Sequence, residues 1–342
     1  MSGQLVLLTG ISGFIGSYIA HSLLQEGYRV RGVTRSIKVD AIQARYKDYG
    51  SKVDIVGVDD LPHGSFEDAL KGVDAVVHAA ASLPGRSSTE EALKVAIDGS
   101  TNILRQSEAA GIHNFVLISS IVALTNWKTQ DFVTDKDWNS ITLEEAVGKE
   151  NNSIIVYFAA KTLSERAVWD FVDKHPHVEV AAINPVFVYG PFAPEFDIPD
   201  GRFFSLSTNS QVYSLFRADL PLTYGIRWVD VRDVATAVLR SLTAPPTSEV
   251  GRKRFIMSGD PWPSAKEVAE YIAEARPELK ERISPAALEA GGPAVKSIVD
   301  TSRAKEVLGL KFTDWKDTIL STVDSLLAFE KEWKAKGLTV QP

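Results

Sequence analysis

The stretch that most constrains this chain is its first turn, Gly10-Ile11-Ser12-Gly13-Phe14-Ile15-Gly16. It follows the apolar run Leu5-Val6-Leu7-Leu8 and opens a second run from Phe14 to Leu24. Strand, glycine-rich turn and helix, in that order, are what a dinucleotide-binding βαβ unit requires. Gly10 permits the tight turn, Gly13 lets backbone approach a pyrophosphate, and Gly16 lets the helix pack close to the strand. The helix N-terminus then presents unpaired N–H groups and a partial positive charge to the phosphates. The spacing is G-x-x-G-x-x-G rather than G-x-G-x-x-G, and glycine also serves ordinary turns. In its strand-to-helix context at residue ten it predicts that Gly10, Ser12, Gly13, Phe14, Ile15 and Gly16 bind a cofactor.

Strand and helix patterns alternate from residue 4 to about 185, which argues for an α/β fold with a doubly wound parallel (Rossmann) sheet. Strands are expected at 28–33, 53–58, 73–78, 115–118 and 178–183, with helices at 66–70, 89–110 and 155–174. After Asn184-Pro185 the pattern weakens into a segment rich in Phe, Tyr, Pro and Ser. A helix at 233–242, a strand at 254–257 and a final amphipathic helix at 314–334 follow. The expected division is a dinucleotide-binding domain of 1–185 plus 224–258 and a smaller, discontinuous C-terminal substrate lobe of 186–223 plus 259–312. Residues 313–342 form a C-terminal helix and tail in this reading.

Composition narrows the partners. A net charge of −7 with no basic block argues against nucleic acid and anionic membranes. Cysteine is absent, which excludes disulfides and a thiol nucleophile and fits a reducing compartment. The first apolar run is too short for a signal segment and no run reaches a membrane span, so a cytoplasmic protein is expected. It is expected to be a monomer or homodimer acting on a small molecule. The six histidines show no metal-ligand spacing, and His175 and His177 only flank a proline, so no metal site is expected.

The chemistry concentrates in Tyr157-Phe158-Ala159-Ala160-Lys161. Y-x-x-x-K places both side chains on one helix face. A neighbouring ammonium stabilises a phenolate and lowers the tyrosine pKa, so Tyr157 can protonate the oxygen of a carbonyl being reduced. The pattern is common by chance, but here it lies in a helix after the fifth strand of a nucleotide fold. Ser119-Ser120 ends that strand, where α/β sheets bind ligands, and Ser120 could hydrogen-bond the same substrate oxygen. At the end of the second strand, Thr34-Arg35 stands where an NAD-binding chain carries an acid; Arg35, assisted by Lys38, suits a ribose phosphate and favours NADPH. Asp60 and Leu61 follow the third strand, where an adenine would lie. Ala79, Ala80 and Ala81 follow the fourth and leave room for ribose and nicotinamide, though three alanines also serve close sheet–helix packing.

These residues, in this order, resemble the extended short-chain dehydrogenase/reductases. The likeness rests on Thr9 to Ser17, His78-Ala79-Ala80, Ser119-Ser120, Tyr157 to Lys161 and Asn184 to Pro191. Arg35, Gly64-Ser65-Phe66 and Asp230-Val231-Arg232-Asp233-Val234-Ala235 make it similar to the branch of dihydroflavonol 4-reductases, cinnamoyl-CoA reductases and fungal methylglyoxal and aldehyde reductases. The resemblance implies a catalytic triad of Ser120, Tyr157 and Lys161, with Tyr157 and Lys161 also at the cofactor, Lys161 on the nicotinamide ribose, and Pro185 and Val188 at the nicotinamide end. Ala96 stands where many extended members have an asparagine, which puts a water relay through that position in doubt.

The expected activity is therefore NADPH-dependent reduction of an aldehyde or ketone to an alcohol, with Tyr157 as general acid. Leu83, Trp127, Phe187, Tyr189 and Trp228 suggest a pocket for an apolar or aromatic carbonyl compound, each with lobe core as its alternative reading. Two other functions fit the fold. A nucleotide-sugar epimerase or dehydratase would keep NAD bound, and Arg35 and the Ile121 after Ser120 argue against it. A non-catalytic NADP sensor would usually lose the Tyr/Lys pair, which is present here.

Overall fold

In the computed structural model, which describes residues 3–80, 89–125, 132–147, 152–198, 202–291 and 298–338, the first strand is buried along its whole length. That strand, β1 (Leu5–Thr9), can be apolar from Leu5 to Leu8 because a parallel sheet is covered on both faces. It is followed by β2 (Arg29–Thr34), β3 (Val53–Gly57), β4 (Ala75–His78), β5 (Asn114–Ile118), β6 (Glu179–Pro185), β7 (Phe187–Tyr189), β8 (Trp228–Asp230) and β9 (Lys253–Met257). Among the described residues seven of these form one sheet in the order β3-β2-β1-β4-β5-β6-β9, and every pairing is parallel.

Successive residues of each strand enter opposite cores. Val6, Leu8, Val30, Val77, Val116 and Ile183 pack against the helices Phe14–Gln25 and Val231–Ser241. Leu5, Leu7, Val76, Phe115, Leu117 and Val180 pack against the helices Thr89–Ala109 and Ser153–Val172. The winding reverses between β1 and β4, so the crevice at their carboxyl ends is where such a sheet takes ligands. Helix and strand bounds follow the sequence expectations to within about three residues.

Two features were not anticipated. The short helix Val39–Arg45 covers the edge of the sheet beside β3. Beyond Pro185 the chain leaves the main sheet, and β7 pairs in parallel with β8 in a separate two-stranded sheet. Around this pair Phe203, Leu206, Tyr213, Phe216, Trp262, Ile283 and Trp333 are buried together. The last helix, Trp315–Ala335, is tied to the same region: Trp333 Nε1 donates to the Ile198 carbonyl at 2.8 Å, and Tyr213 donates to Glu330 at 2.6 Å. No described helix is long and apolar enough to cross a membrane.

The glycine turn is set by contact. A Cβ on Gly16 would stand 2.0 Å from the Gly10 carbonyl oxygen, and one on Gly10 would stand 2.7 Å from the Ala80 nitrogen. Gly10 also has φ +75, a conformation a side chain resists. Both neighbours are backbone, so neither can turn aside. Gly16→Ala is expected to destabilise the fold by at least the ~1–3 kcal/mol typical of overpacking, read as a lower urea midpoint with an unchanged slope.

Candidate active site

The turn after β1 is built for an anion. The Gly13 N–H donates to the Gly10 carbonyl at 3.0 Å, and the helix begins at Phe14 with no side-chain cap and no acidic residue in its first turn. Its leading N–H groups are left for a ligand. Ser12 and Ile15 are half-buried at the turn, whereas the Phe14 ring is core, edge-on to Phe192 at 5.2 Å; only Phe14 backbone is available there. Thr9 closes the turn onto the next strand: its hydroxyl accepts from Ala80 N–H at 3.1 Å and pairs with His78 Nδ1 at 2.8 Å. His78 is buried, and burial followed by the Lys161 charge pushes its pKa down to about 3, so its imidazole is neutral.

Arg35 follows β2, exposed, its guanidinium in no ion pair among the described residues; Lys38 is exposed in the turn that follows, its N–H donating to the Arg35 carbonyl at 2.8 Å. Asp59 shapes this corner. Its carboxylate accepts from Ser36 N–H at 2.8 Å and Ser36 Oγ at 2.6 Å, and these bonds lower its pKa. Asp60 turns instead to His63, whose N–H it accepts at 3.1 Å, and Leu61 lines the cleft.

The cleft itself lies over the ends of β4 and β5. His78, Ala80, Ala96, Ser100, Ile118, Tyr157 and Lys161 are on its wall. Tyr157 and Lys161 are half-buried, one turn apart on the helix Ser153–Val172, which Asn152 caps by accepting from Ile155 N–H. Lys161 Nζ donates to the Ile118 carbonyl at 3.3 Å. Ser119 and Ser120 diverge: Ser119 donates to Glu165, while the Ser120 hydroxyl faces the Tyr157 phenol and draws its pKa down. One expectation is corrected here. Burial raises the Tyr157 pKa, and the opposing pull comes from Ser120, not from Lys161, whose ammonium is turned to Ile118. Burial also pushes Lys161 down to about 8, against the Glu165 carboxylate, which draws it up.

Glu165 was missed at the sequence level. Its signal was spacing: Tyr157, Lys161 and Glu165 recur every four residues on one helix face. Fully buried, it accepts from Arg254 Nε at 2.7 Å, Trp169 Nε1 at 3.2 Å and Asn184 Nδ2 at 2.6 Å, besides Ser119. Asn184 also donates to the Ser120 carbonyl at 3.2 Å, so the carboxylate fixes the strand end that carries Ser120.

The expected pocket residues do not all gather. Tyr189 is core: its hydroxyl lies 2.7 Å from Gln211 Oε1 and 2.9 Å from the Gly225 carbonyl oxygen, the two acceptors for its one proton. Trp228 is core too, donating to the Pro261 carbonyl at 2.8 Å. Both fall on the β7–β8 pair, whose pairing turns them inward. Phe187, on the same pair, is 40% exposed. Pro185 and Val188 are buried where β6 passes into β7. Ala81, Leu83 and Trp127 lie outside the described residues.

Comparison with known proteins is consistent with this geometry. Residues 6–255 match the model of the NAD dependent epimerase/dehydratase family. The chain is 36% identical over 250 residues to an uncharacterized oxidoreductase of Schizosaccharomyces pombe, covering 69% of this chain and 73% of that one. It is 30% identical over 338 residues to the ketoreductase azaE of Aspergillus niger, covering 94% and 97%. Its fold superposes on yeast methylglyoxal/isovaleraldehyde reductase Gre2 complexed with NADPH, with a TM-score of 0.81 and 25% identity over 96% of this chain and 99% of that one.

Proposed function

The chain belongs to the NAD dependent epimerase/dehydratase family, and from that premise we propose that it is an NADPH-dependent carbonyl reductase that converts an aldehyde or ketone to an alcohol. The observation that carries this reading is the pair Tyr157 and Lys161 on one cleft at the carboxyl end of the sheet, with the Ser120 hydroxyl hydrogen-bonded to the Tyr157 phenol, beside an uncapped helix N-terminus. The reductase names of its relatives support it.

The residues present fit the cofactor. The cradle at Gly10 and Gly16 has no room for a Cβ, the helix leads with N–H groups that no side chain caps, and Arg35 is exposed with no ion pair among the described residues. Gly10 to Gly16 would hold the pyrophosphate, Arg35 and Lys38 the ribose phosphate, and Asp60 and Leu61 the adenine. Ala79 and Ala80 would flank the second ribose, with Pro185 and Val188 at the nicotinamide end. Bound NADPH supplies the hydride.

Tyr157 then delivers a proton to the carbonyl oxygen. A raised phenol pKa suits that task, because the group must hold its proton until negative charge develops on the substrate. Ser120 donates to the same oxygen and stabilises that charge. Lys161 carries the compensating positive charge and donates to the ribose, and Glu165 helps it stay protonated despite burial. The exposed Phe187 ring and the apolar cleft residues Val95, Ala96 and Leu117 favour a carbonyl compound with apolar or aromatic substituents.

Initial rates of NADPH and NADH oxidation against methylglyoxal, a diketone, a β-ketoester, aryl aldehydes and a dihydroflavonol test the reading. Turnover with NADPH supports it. Protein purified with bound NAD and inert towards the whole panel would move the assignment to sugar-nucleotide epimerisation. Within the same assay, Arg35→Ala is expected to raise KM for NADPH roughly 10–100-fold, the loss of about 1.5–3 kcal/mol of charge-assisted hydrogen bonding. KM for NADH should scarcely move.

A further inference from the structure

We propose that Glu108, His175 and His177 form a binding site for a divalent transition-metal ion, with Zn²⁺ the best fit, at the end of the sheet opposite the cleft. In sequence order Glu108 and the two histidines are far apart, and the histidine spacing alone gave no ligand set. The fold brings them together. Glu108 is in the last turn of the helix Thr89–Ala109, and the histidines follow the helix Ser153–Val172 on either side of Pro176. These two helices pack side by side, so their carboxyl ends are neighbours.

The donor atoms are already close to coordination spacing. Glu108 Oε1 stands 3.4 Å from His175 Nδ1 and 3.1 Å from His177 Nε2, and all three atoms lie within 4.8 Å of one another. A tetrahedral ion with bonds of about 2.0–2.2 Å holds its ligand atoms roughly 3.3–3.6 Å apart. Two of the separations are therefore near the required value, and a small rotation of partly exposed side chains closes the third. Neighbouring rings pack against both imidazoles. His175 stacks on Phe171 with centroids 4.0 Å apart and planes 5° from parallel, and its backbone N–H donates to the Phe171 and Val172 carbonyls. His113 packs edge-on to His177 at 4.9 Å.

Charge and ligand type select the ion. Two helix carboxyl ends favour a cation, and the carboxylate offsets part of its charge. Two imidazoles with one carboxylate suit Zn²⁺ and its first-row neighbours, whereas Mg²⁺ and Ca²⁺ take oxygen ligands. Three protein ligands leave a fourth position for water. The site lies at the starts of β5 and β6, while Ser120 and Pro185 lie at their far ends. The ion would therefore clamp the two helices rather than join the reaction.

The test is isothermal titration of untagged, chelator-treated full-length protein with ZnCl₂, paired with thermal melts. One equivalent is expected to bind saturably and to raise Tm, because the ion binds the folded state. His177→Gln and Glu108→Gln should each weaken binding by more than the roughly tenfold that even an outer-shell partner contributes. Without zinc both variants should melt close to the parent, which separates loss of a ligand from loss of fold. Absence of a one-equivalent isotherm would overturn the proposal. So would binding that survives in both variants, which would place the ion elsewhere.

Discussion

Arg254→Met is expected to lower the stability of the fold by about 3–5 kcal/mol, the cost of leaving one member of a buried ion pair without its partner. The Arg254 and Glu165 side chains are 3% and 0% exposed, with Nε and Oε1 2.7 Å apart. Arg254 also spans the structure, donating to the Asp135 carbonyl at 2.6 Å and the Asp137 carbonyl at 2.9 Å, with its guanidinium 3.8 Å over the Trp138 ring. Methionine keeps much of the apolar stem and removes the charge. The Glu165 carboxylate would then lose its ion-pair partner, which loosens its hold on Ser119 and Asn184. The double variant Glu165→Gln with Arg254→Met should be less destabilised than the sum of the single variants, because each single change strands a group that the double change removes. Urea unfolding of the four proteins measures this. Strict additivity would show that the pair does not act as a unit.

Tyr157→Phe is expected to reduce kcat roughly 10²–10⁴-fold, the range associated with one positioned general acid. The ring remains, so the cleft wall and the helix are preserved, and only the hydroxyl that faces Ser120 is lost. NADPH affinity, measured by fluorescence titration, should change little, since the proposed phosphate contacts lie at the glycine turn and Arg35. A variant with near-normal kcat would remove Tyr157 from the proton transfer. A variant that lost NADPH affinity in proportion to kcat would make the tyrosine a cofactor ligand first. Ser120 shares the substrate oxygen in this scheme, so the effects of Tyr157→Phe and Ser120→Ala should combine non-additively.

How much of this was legible depended on whether the information was local. The Rossmann sheet was visible because each strand and helix carries its own period, whereas the strand order, with its reversal at β1 and β4, came from the structure. The tight turn at Gly10 and the close approach at Gly16 could be read because a turn is a local feature. Tyr157, Lys161 and Ser120 could be read because the helix and the fifth strand bring them to one end of the sheet.

Long-range pairing was not legible. The parallel pairing of Phe187–Tyr189 with Trp228–Asp230 decides that Tyr189 and Trp228 are core and Phe187 is exposed, and no spacing in the sequence announces that pairing. The Glu165–Arg254 contact joins residues 89 positions apart. The pKa pattern was not legible either. An ammonium four residues away suggested a lowered phenol pKa, but burial outweighs it once Lys161 turns to the Ile118 carbonyl.

The most direct test of the central claim is where the hydride goes. Reduction of a carbonyl substrate should be run with NADPH deuterated at nicotinamide C4, separately on each face, and the product examined by mass spectrometry and NMR. The expected result is an alcohol bearing one deuterium on the former carbonyl carbon, from one face only, with product formation lost in Tyr157→Phe. Cofactor oxidation that leaves no deuterium on the product carbon would contradict the assignment. Labelled alcohol formed equally well by the Tyr157→Phe variant would contradict the site.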